Sequence, residues 1–271
     1  MKLLDGKELA GYVTERQARQ VRALRQAHGI FPKLAIIVTV DNPVIDIYTR
    51  LKKNYGQDIL IDVDIHKIPQ SEARALIQSL NTDDSVHGIV VQLPLADTSE
   101  TDAILDLINP EKDIDGLGEK SKYVSATATA INWLLAGYNI ELRGKRIAVV
   151  GLGRLVGKPL FEGWKKDGLD VYGYDENSVN LSAEIKKADV VISATGVARL
   201  IKSDMLSLGA VVVDAGTASD SGKIVGDLDA EARNRDDLTI TPEKGGVGPL
   251  TIAVLFDNLI QAARLSDQEP V

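Results

Sequence analysis

Apolar, β-branched runs alternate along this chain with stretches whose apolar residues recur every three or four positions. Leu34–Val40, Ile59–Ile65 and Gly88–Leu93 are short continuous runs and predict three buried strands. Between the second and third, Ser71–Leu80 places Ala73, Leu76, Ile77 and Leu80 on one helical stripe. Ser99 and Asp102 predict an N-cap and an acidic first turn for a helix over 103–108 that Pro110 closes. A second series begins near residue 145. Arg146–Val150, Leu169–Tyr174, Val190–Ser193 and Ala210–Asp214 predict further strands, with a last short one at Leu238–Ile240. Ser125–Leu135 reads as a helix joining the two series. Leu250–Ala263 reads as an amphipathic helix with Val254, Leu255, Asn258, Leu259 and Ala262 along one face. Strand–helix alternation of this kind means parallel βαβ units. No repeat, low-complexity tract or long linker interrupts it. The expectation is two α/β lobes with the binding site in the cleft they form.

Composition narrows the chemistry. Lys and Arg number 31 against 39 Asp and Glu, a net charge of −8, so no electrostatic footprint for nucleic acid or an anionic membrane is expected. The chain has no cysteine, which excludes disulfides, thiolate metal sites and a cysteine nucleophile. His28, His66 and His87 are scattered singly, and no metal is expected. Residues 1–10 carry charge where a signal peptide needs an apolar core, and no apolar run reaches the length of a membrane span, so the expected address is the cytoplasm.

Three segments of the second series point to a dinucleotide. Directly after the 146–150 strand comes Gly151-Leu-Gly153-Arg154-Leu155-Val156-Gly157, opening a helix. The first glycine permits a tight turn, the second lets the backbone approach a pyrophosphate, and the helix N-terminus presents unpaired N–H groups to it. Asp175 closes the next strand, where an acid hydrogen-bonds the adenosine ribose of NAD and repels the 2′-phosphate of NADP. Ala194-Thr195-Gly196, after the 190–193 strand, would let a cofactor pass close to the backbone. The plain alternatives are a strand–turn–helix corner with no nucleotide and an ordinary tight turn.

In the first series, Tyr48 and Lys52 are spaced i, i+4 and share a helix face. A tyrosine can stack on a flat heterocycle, and a desolvated lysine can shuttle protons near neutral pH; a solvated surface pair is the plain alternative. Gln92 ends an apolar strand at the edge where parallel sheets place ligand groups. Asp115 lies in the turn-rich Pro110–Gly116, where a single acid is ordinarily turn chemistry. Thr241–Thr251 packs Gly245, Gly246 and Gly248 between two prolines, which suggests close backbone approach or else a rigid connection.

Taken together, Asp5-Gly-Lys7, Tyr48-x-x-x-Lys52, Val91-Gln-Leu-Pro-Leu95, Pro110–Gly116, Gly157-Lys-Pro159, Gly222-Lys-Ile-Val-Gly-Asp227 and Gly245-Gly-Val-Gly-Pro-Leu-Thr251 resemble, in order and over essentially the whole chain, the bifunctional methylenetetrahydrofolate dehydrogenase/cyclohydrolase family. The resemblance implies a catalytic, folate-binding lobe from 1–124 plus 249–271 and a Rossmann-type doubly wound lobe from 125–248. It implies oxidation of methylenetetrahydrofolate to the methenyl form with NAD or NADP, then hydrolysis to formyltetrahydrofolate. By position, Lys52 would transfer protons, Gln92 would hold and tune it, Tyr48 would stack on the folate and Asp115 would fix the pterin edge; Gly245 and Gly246 would shape the substrate site. A homodimer is expected on the same ground. The chain departs from the family at Leu152-Gly153, where Arg-Ser is usual, and at Asp175-Glu176, where His-Ser is usual; both favour NAD. Ser125–Ala128 replaces Pro-Cys-Thr-Pro, the segment from Gly116 to it is shorter, and Ile45 stands where a serine is usual. Alternative readings are an NAD-dependent dehydrogenase without hydrolase activity, a weakly active nucleotide- or folate-binding paralogue, and a two-lobed dehydrogenase acting on a shikimate-like or amino-acid substrate.

Overall fold

Two separate parallel sheets organise the chain, as the two series of apolar runs require. The computed structural model describes residues 2–220 and 223–266. In chain order, the first half runs β1 (Lys2–Leu3), α1 (Gly6–Ala23), β2 (Lys33–Val38), α2 (Pro43–Asp58), β3 (Asp62–Lys67), α3 (Gln70–Asn81), β4 (Gly88–Gln92), α4 (Thr101–Leu105) and α5 (Ala126–Gly137). The second half runs β5 (Ile147–Val150), α6 (Gly157–Lys166), β6 (Val171–Tyr174), α7 (Leu181–Ile185), β7 (Val190–Ser193), β8 (Val211–Asp214), β9 (Ala218–Asp220), β10 (Lys223–Val225), α8 (Ala230–Arg233), β11 (Thr239–Ile240) and α9 (Val247–Leu265). By contact the described residues divide into a first unit, 11–126 with 252–266, and a second unit, 2–10 with 127–251.

The first unit holds the three-stranded sheet β3-β2-β4, parallel throughout, with Ile36 opposite Ile65 and Val90. Central β2 is buried along Leu34–Val38, the signature of a strand covered on both faces. One face, carrying Ala35, Ile37, Ile89 and Val91, packs on Ile77 and Leu80 of α3 and on Ile104 and Leu105 of α4. On the other face α9 lies close. A Cβ on Gly88 would fall 2.7 Å from Leu259, and one on Gly56 of α2 would fall 3.4 Å from Phe256.

The second unit holds a six-stranded sheet in the order β1-β11-β8-β7-β5-β6, every pairing parallel. The order turns around at β5, which has β6 on one side and β7 on the other, the arrangement that opens a crevice at the carboxyl edge of the strands. Residues 2–10 group with this unit by contact, for two reasons. β1 pairs with β11, Lys2 opposite Thr239. Gly6 also has no room for a side chain, since a Cβ there would sit 1.9 Å from the Gly246 carbonyl oxygen.

Three sequence expectations shift. The strand expected over 59–65 forms at Asp62–Lys67, because Ile59 caps α2 and Leu60 adopts a left-handed φ of 66°; Ile59 and Ile61 are buried before the strand starts. The cap expected at Ser99 is Asp97, whose carboxylate accepts the Ser99 N–H at 2.9 Å and starts a short 3₁₀ turn. The following helix ends at Leu105, well before Pro110.

Candidate active site

Asn42 starts α2 by accepting the Val44 N–H at 2.8 Å, with Pro43 next in the helix, so Tyr48 and Lys52 do share one helix. Lys52 is 8% exposed, a rare burial for an ammonium. Its Nζ donates to Gln92 Oε1 at 2.9 Å. Gln92 is the last residue of β4, and its own Nε2 donates to the Leu93 carbonyl at 3.2 Å, which fixes the oxygen toward the lysine. Tyr48 stands one turn before Lys52 and is half-buried.

Asp115 joins this pair electrostatically. Burial pushes the Lys52 ammonium below its ordinary range, and the nearby Asp115 carboxylate partly restores it. Burial pushes Asp115 up, and Lys52 opposes that shift.

The loop carrying Asp115 is tightly braced in spite of its shortness. Asp113, fully buried, accepts the N–H groups of Leu117 and Gly118 at 3.1 and 2.8 Å. Ala126 N donates to the Asp115 carbonyl at 3.1 Å, and Asn258 Nδ2 donates to the Ile114 carbonyl at 2.8 Å. Gly116 has a φ of 71°, and a Cβ there would lie 2.7 Å from the Ser125 nitrogen, so the 116–125 segment folds directly onto it. Ile45, at the usual serine position, is core.

In the second unit the predicted cofactor residues gather at the carboxyl edge of three adjacent strands. Gly151 follows β5 with a φ of 90°, a conformation suited to glycine, and its N–H donates to the Tyr174 carbonyl at 2.8 Å. Gly157 opens α6, and a Cβ there would lie 1.8 Å from the Gly151 carbonyl oxygen, so strand and helix meet through bare backbone. Gly153 is different: it is exposed, and a Cβ would meet nothing within 4 Å. Arg154 and Leu155 are exposed on the same loop, and Val156 precedes the helix as its N-cap. Asp175 follows β6 with its carboxylate accepting the Asn177 N–H and the Ser178 hydroxyl, both at 3.0 Å. Ala194 N donates to the Val150 carbonyl at 2.8 Å, and Gly196 turns with a φ of 67°. A tight turn, a glycine with open space beside it and the N-terminus of a ten-residue helix are the parts a dinucleotide pyrophosphate needs.

Gly245 and Gly246 lie in this second unit, Gly245 against Lys7 and Gly246 between Gly6 and Thr241. Gly245 has a φ of 86°, its carbonyl accepts the Lys7 N–H at 2.9 Å, and the Gly246 carbonyl fills the space beside Gly6. Gly222, expected as part of the Gly222–Asp227 stretch, lies outside the described residues. Three residues given no individual role in the sequence reading emerge under the Ala194–Gly196 loop: Asp214, Asp227 and Arg233. Their only sequence signals are an aspartate ending a strand and the last letter of a motif. Among the described residues no cluster of three or more His, Cys, Asp or Glu is placed to hold a metal ion.

The tetrahydrofolate dehydrogenase/cyclohydrolase catalytic-domain model matches residues 4–115, and the NAD(P)-binding-domain model of the same family matches 125–267. The bifunctional protein FolD of Lactobacillus helveticus is 38% identical over 276 residues, covering 97% of this chain and 98% of that protein. The crystal structure of the Campylobacter jejuni bifunctional methylenetetrahydrofolate dehydrogenase/cyclohydrolase superposes with a TM-score of 0.91 at 37% identity, covering 98% of this chain and 99% of that one. The Trypanosoma brucei dehydrogenase-cyclohydrolase, solved with NADP and an inhibitor, gives a TM-score of 0.91 at 28% identity over 98% of each chain.

Proposed function

The chain belongs to the tetrahydrofolate dehydrogenase/cyclohydrolase family, and from that premise we propose how its residues divide the work. The protein is a methylenetetrahydrofolate dehydrogenase and methenyltetrahydrofolate cyclohydrolase of one-carbon folate metabolism, with a folate substrate and a nicotinamide cofactor. The cofactor supplies the hydride acceptor for the methylene carbon. Gly151, Gly153 and Gly157 with the α6 N-terminus would hold its pyrophosphate, Asp175 would hold its ribose, and Ala194–Gly196 would pass beside it. In the first unit Tyr48 stacks on the folate and Asp115 grips the pterin edge.

Lys52 carries the hydrolysis. In its amine form it takes a proton from the water that adds to the methenyl carbon. It returns that proton to the ring nitrogen as the carbon–nitrogen bond opens, while the hydroxyl now on the carbon releases its own proton to solvent and becomes the formyl carbonyl. Gln92 keeps Nζ in place throughout. The buried Lys52 amine on Gln92 Oε1, within the field of Asp115, is the observation that carries this reading. The test follows both steps in one preparation. K52M should lower hydrolysis of methenyltetrahydrofolate by about 10²–10⁴-fold, the worth of a positioned acid–base group, while cofactor binding persists. Hydrolysis unchanged in folded K52M would remove Lys52 from the mechanism.

We propose NAD as the preferred cofactor, because an acid at the end of β6, here Asp175, would repel a 2′-phosphate and Leu152-Gly153 lacks the arginine and serine that serve one. Parallel assays with NAD and NADP decide; equal or better turnover with NADP overturns the preference. Homodimerisation is proposed from the family resemblance, and sedimentation of the full chain tests it.

A further inference from the structure

The strongest unexplained feature of the second unit is a pair of carboxylates beneath the loop that follows β7. Asp227 and Ser193 are both fully buried. Asp227 Oδ2 accepts the Ser193 hydroxyl at 2.7 Å and the Thr195 N–H at 2.8 Å. Asp227 Oδ1 is buried with no partner among the described residues. It sits against the bare Cα of Gly216, where a Cβ would lie 1.9 Å away. Asp214 holds Asp227 from behind. Its Oδ1 accepts the Asp227 N–H at 3.0 Å and its Oδ2 accepts the Leu228 N–H at 3.1 Å. Arg233 pairs with the same Asp214 oxygen and also donates to the Thr241 carbonyl at 3.3 Å. Gly226 is required here, since a Cβ would fall 2.0 Å from Asp214 Oδ2.

Burying a carboxylate with one oxygen unbonded is costly, and a neutral hydroxyl or amide would close an ordinary turn more cheaply. Oδ2 is committed to two donors, the Ser193 hydroxyl and the first main-chain N–H after Ala194 that no strand partner takes. Ala194 N is already bonded to Val150, and Gly196 then turns with positive φ. Asp227 therefore sets the path of the backbone through Thr195.

We infer that Asp227, braced by the Asp214–Arg233 pair, is a positioning residue that fixes the Ala194–Gly196 loop in the conformation that receives the nicotinamide cofactor. The inference rests on the reading of that loop as cofactor-facing. It separates the two activities: the brace serves the oxidation and leaves Lys52 and its hydrolysis untouched.

The experiment uses the full-length protein and three readouts from each preparation: the NAD dissociation constant by calorimetry, dehydrogenase KM and kcat, and hydrolysis of methenyltetrahydrofolate. D227A should raise the dissociation constant and KM for NAD by about tenfold or more, the loss of two buried hydrogen bonds. Hydrolysis should stay within about twofold. D227N keeps an acceptor for Ser193 and Thr195 and should recover most of the binding. An unchanged dissociation constant in D227A, an equal fall in both activities, or D227N as impaired as D227A overturns the inference. If D227A does not fold, S193A decides. It should weaken NAD binding several-fold with hydrolysis intact, and unchanged binding overturns the inference. G153V separates the two levels of the argument, because it adds bulk to open space and disturbs only a bound ligand. If G153V weakens NAD binding and D227A does not, the positioning role alone falls. If neither does, the reading of these loops as the cofactor site falls with it.

Discussion

The two units place their functional groups by opposite means. In the first, the site is made of side chains: a buried amine, an amide that holds it and a carboxyl that answers it electrostatically. In the second, the site is made of main chain: glycines where a Cβ would collide, strand ends, and a helix N-terminus, with carboxylates turned inward to grip the backbone. A proton-transfer site needs a group whose charge can change, so it is built from titratable residues in a dry setting. A dinucleotide site needs close approach and fixed N–H groups, so it is built by leaving side chains out. Each kind of site should therefore fail in its own way.

The largest contrast is expected from G157A. Its new Cβ would press on the Gly151 carbonyl oxygen, and such overpacking typically costs about 1–3 kcal/mol. Thermal unfolding should register that loss, and NAD binding should fall with it while the Lys52 chemistry of the first unit continues. A G157A protein with unchanged melting and cofactor affinity would erase the distinction drawn for the second unit. A smaller effect is expected from Y55F. Tyr55 donates to Gln17 Oε1 at 2.8 Å, accepts from Thr14, and stacks on Phe256 at 5.1 Å between centroids. Burial pushes its hydroxyl up to about 12, so it remains a donor at any working pH. Removing it strands the Gln17 oxygen at a cost of about 1–2 kcal/mol, with NAD affinity unchanged; denaturant unfolding and calorimetry check both halves.

The finest test is pH. Because burial lowers the Lys52 pKa, the amine form accumulates below the usual lysine range, and hydrolysis should rise with pH through a midpoint below 10.5. The Asp115 carboxylate favours the ammonium, so D115N should move that midpoint to lower pH, read from kcat at saturating substrate. A midpoint that moves upward, or does not move, would detach Asp115 from the lysine.

The side-chain site was the more legible in sequence. Tyr48 and Lys52 declare their shared helix by spacing, and Gln92 declares itself as a polar residue ending an apolar strand; only their meeting in space had to come from the fold. The glycine loop was legible as a pattern, because Gly151, Gly153 and Gly157 follow a strand. Which glycine answers to packing and which to open space was not. Gly157 and Gly153 read alike as letters and differ wholly in surroundings. Asp227 was hidden for a related reason: its role is set by burial under a loop more than thirty positions earlier. The short strands β1, β9 and β10 have two or three residues each and no periodicity to detect, so tertiary pairing alone makes them. Ile59 and Ile61 misled because burial, and not strand geometry, explains their apolarity.

The pairing of Lys2–Leu3 with Thr239–Ile240 has a consequence for biosynthesis. At roughly 5–20 residues per second the nascent chain exposes its outermost strand tens of seconds before the ribosome delivers the neighbour it pairs with. The first unit waits as long, since its layer from residue 252 onward is translated later still. Neither half can mature as an independent early product, because each waits for residues beyond 238.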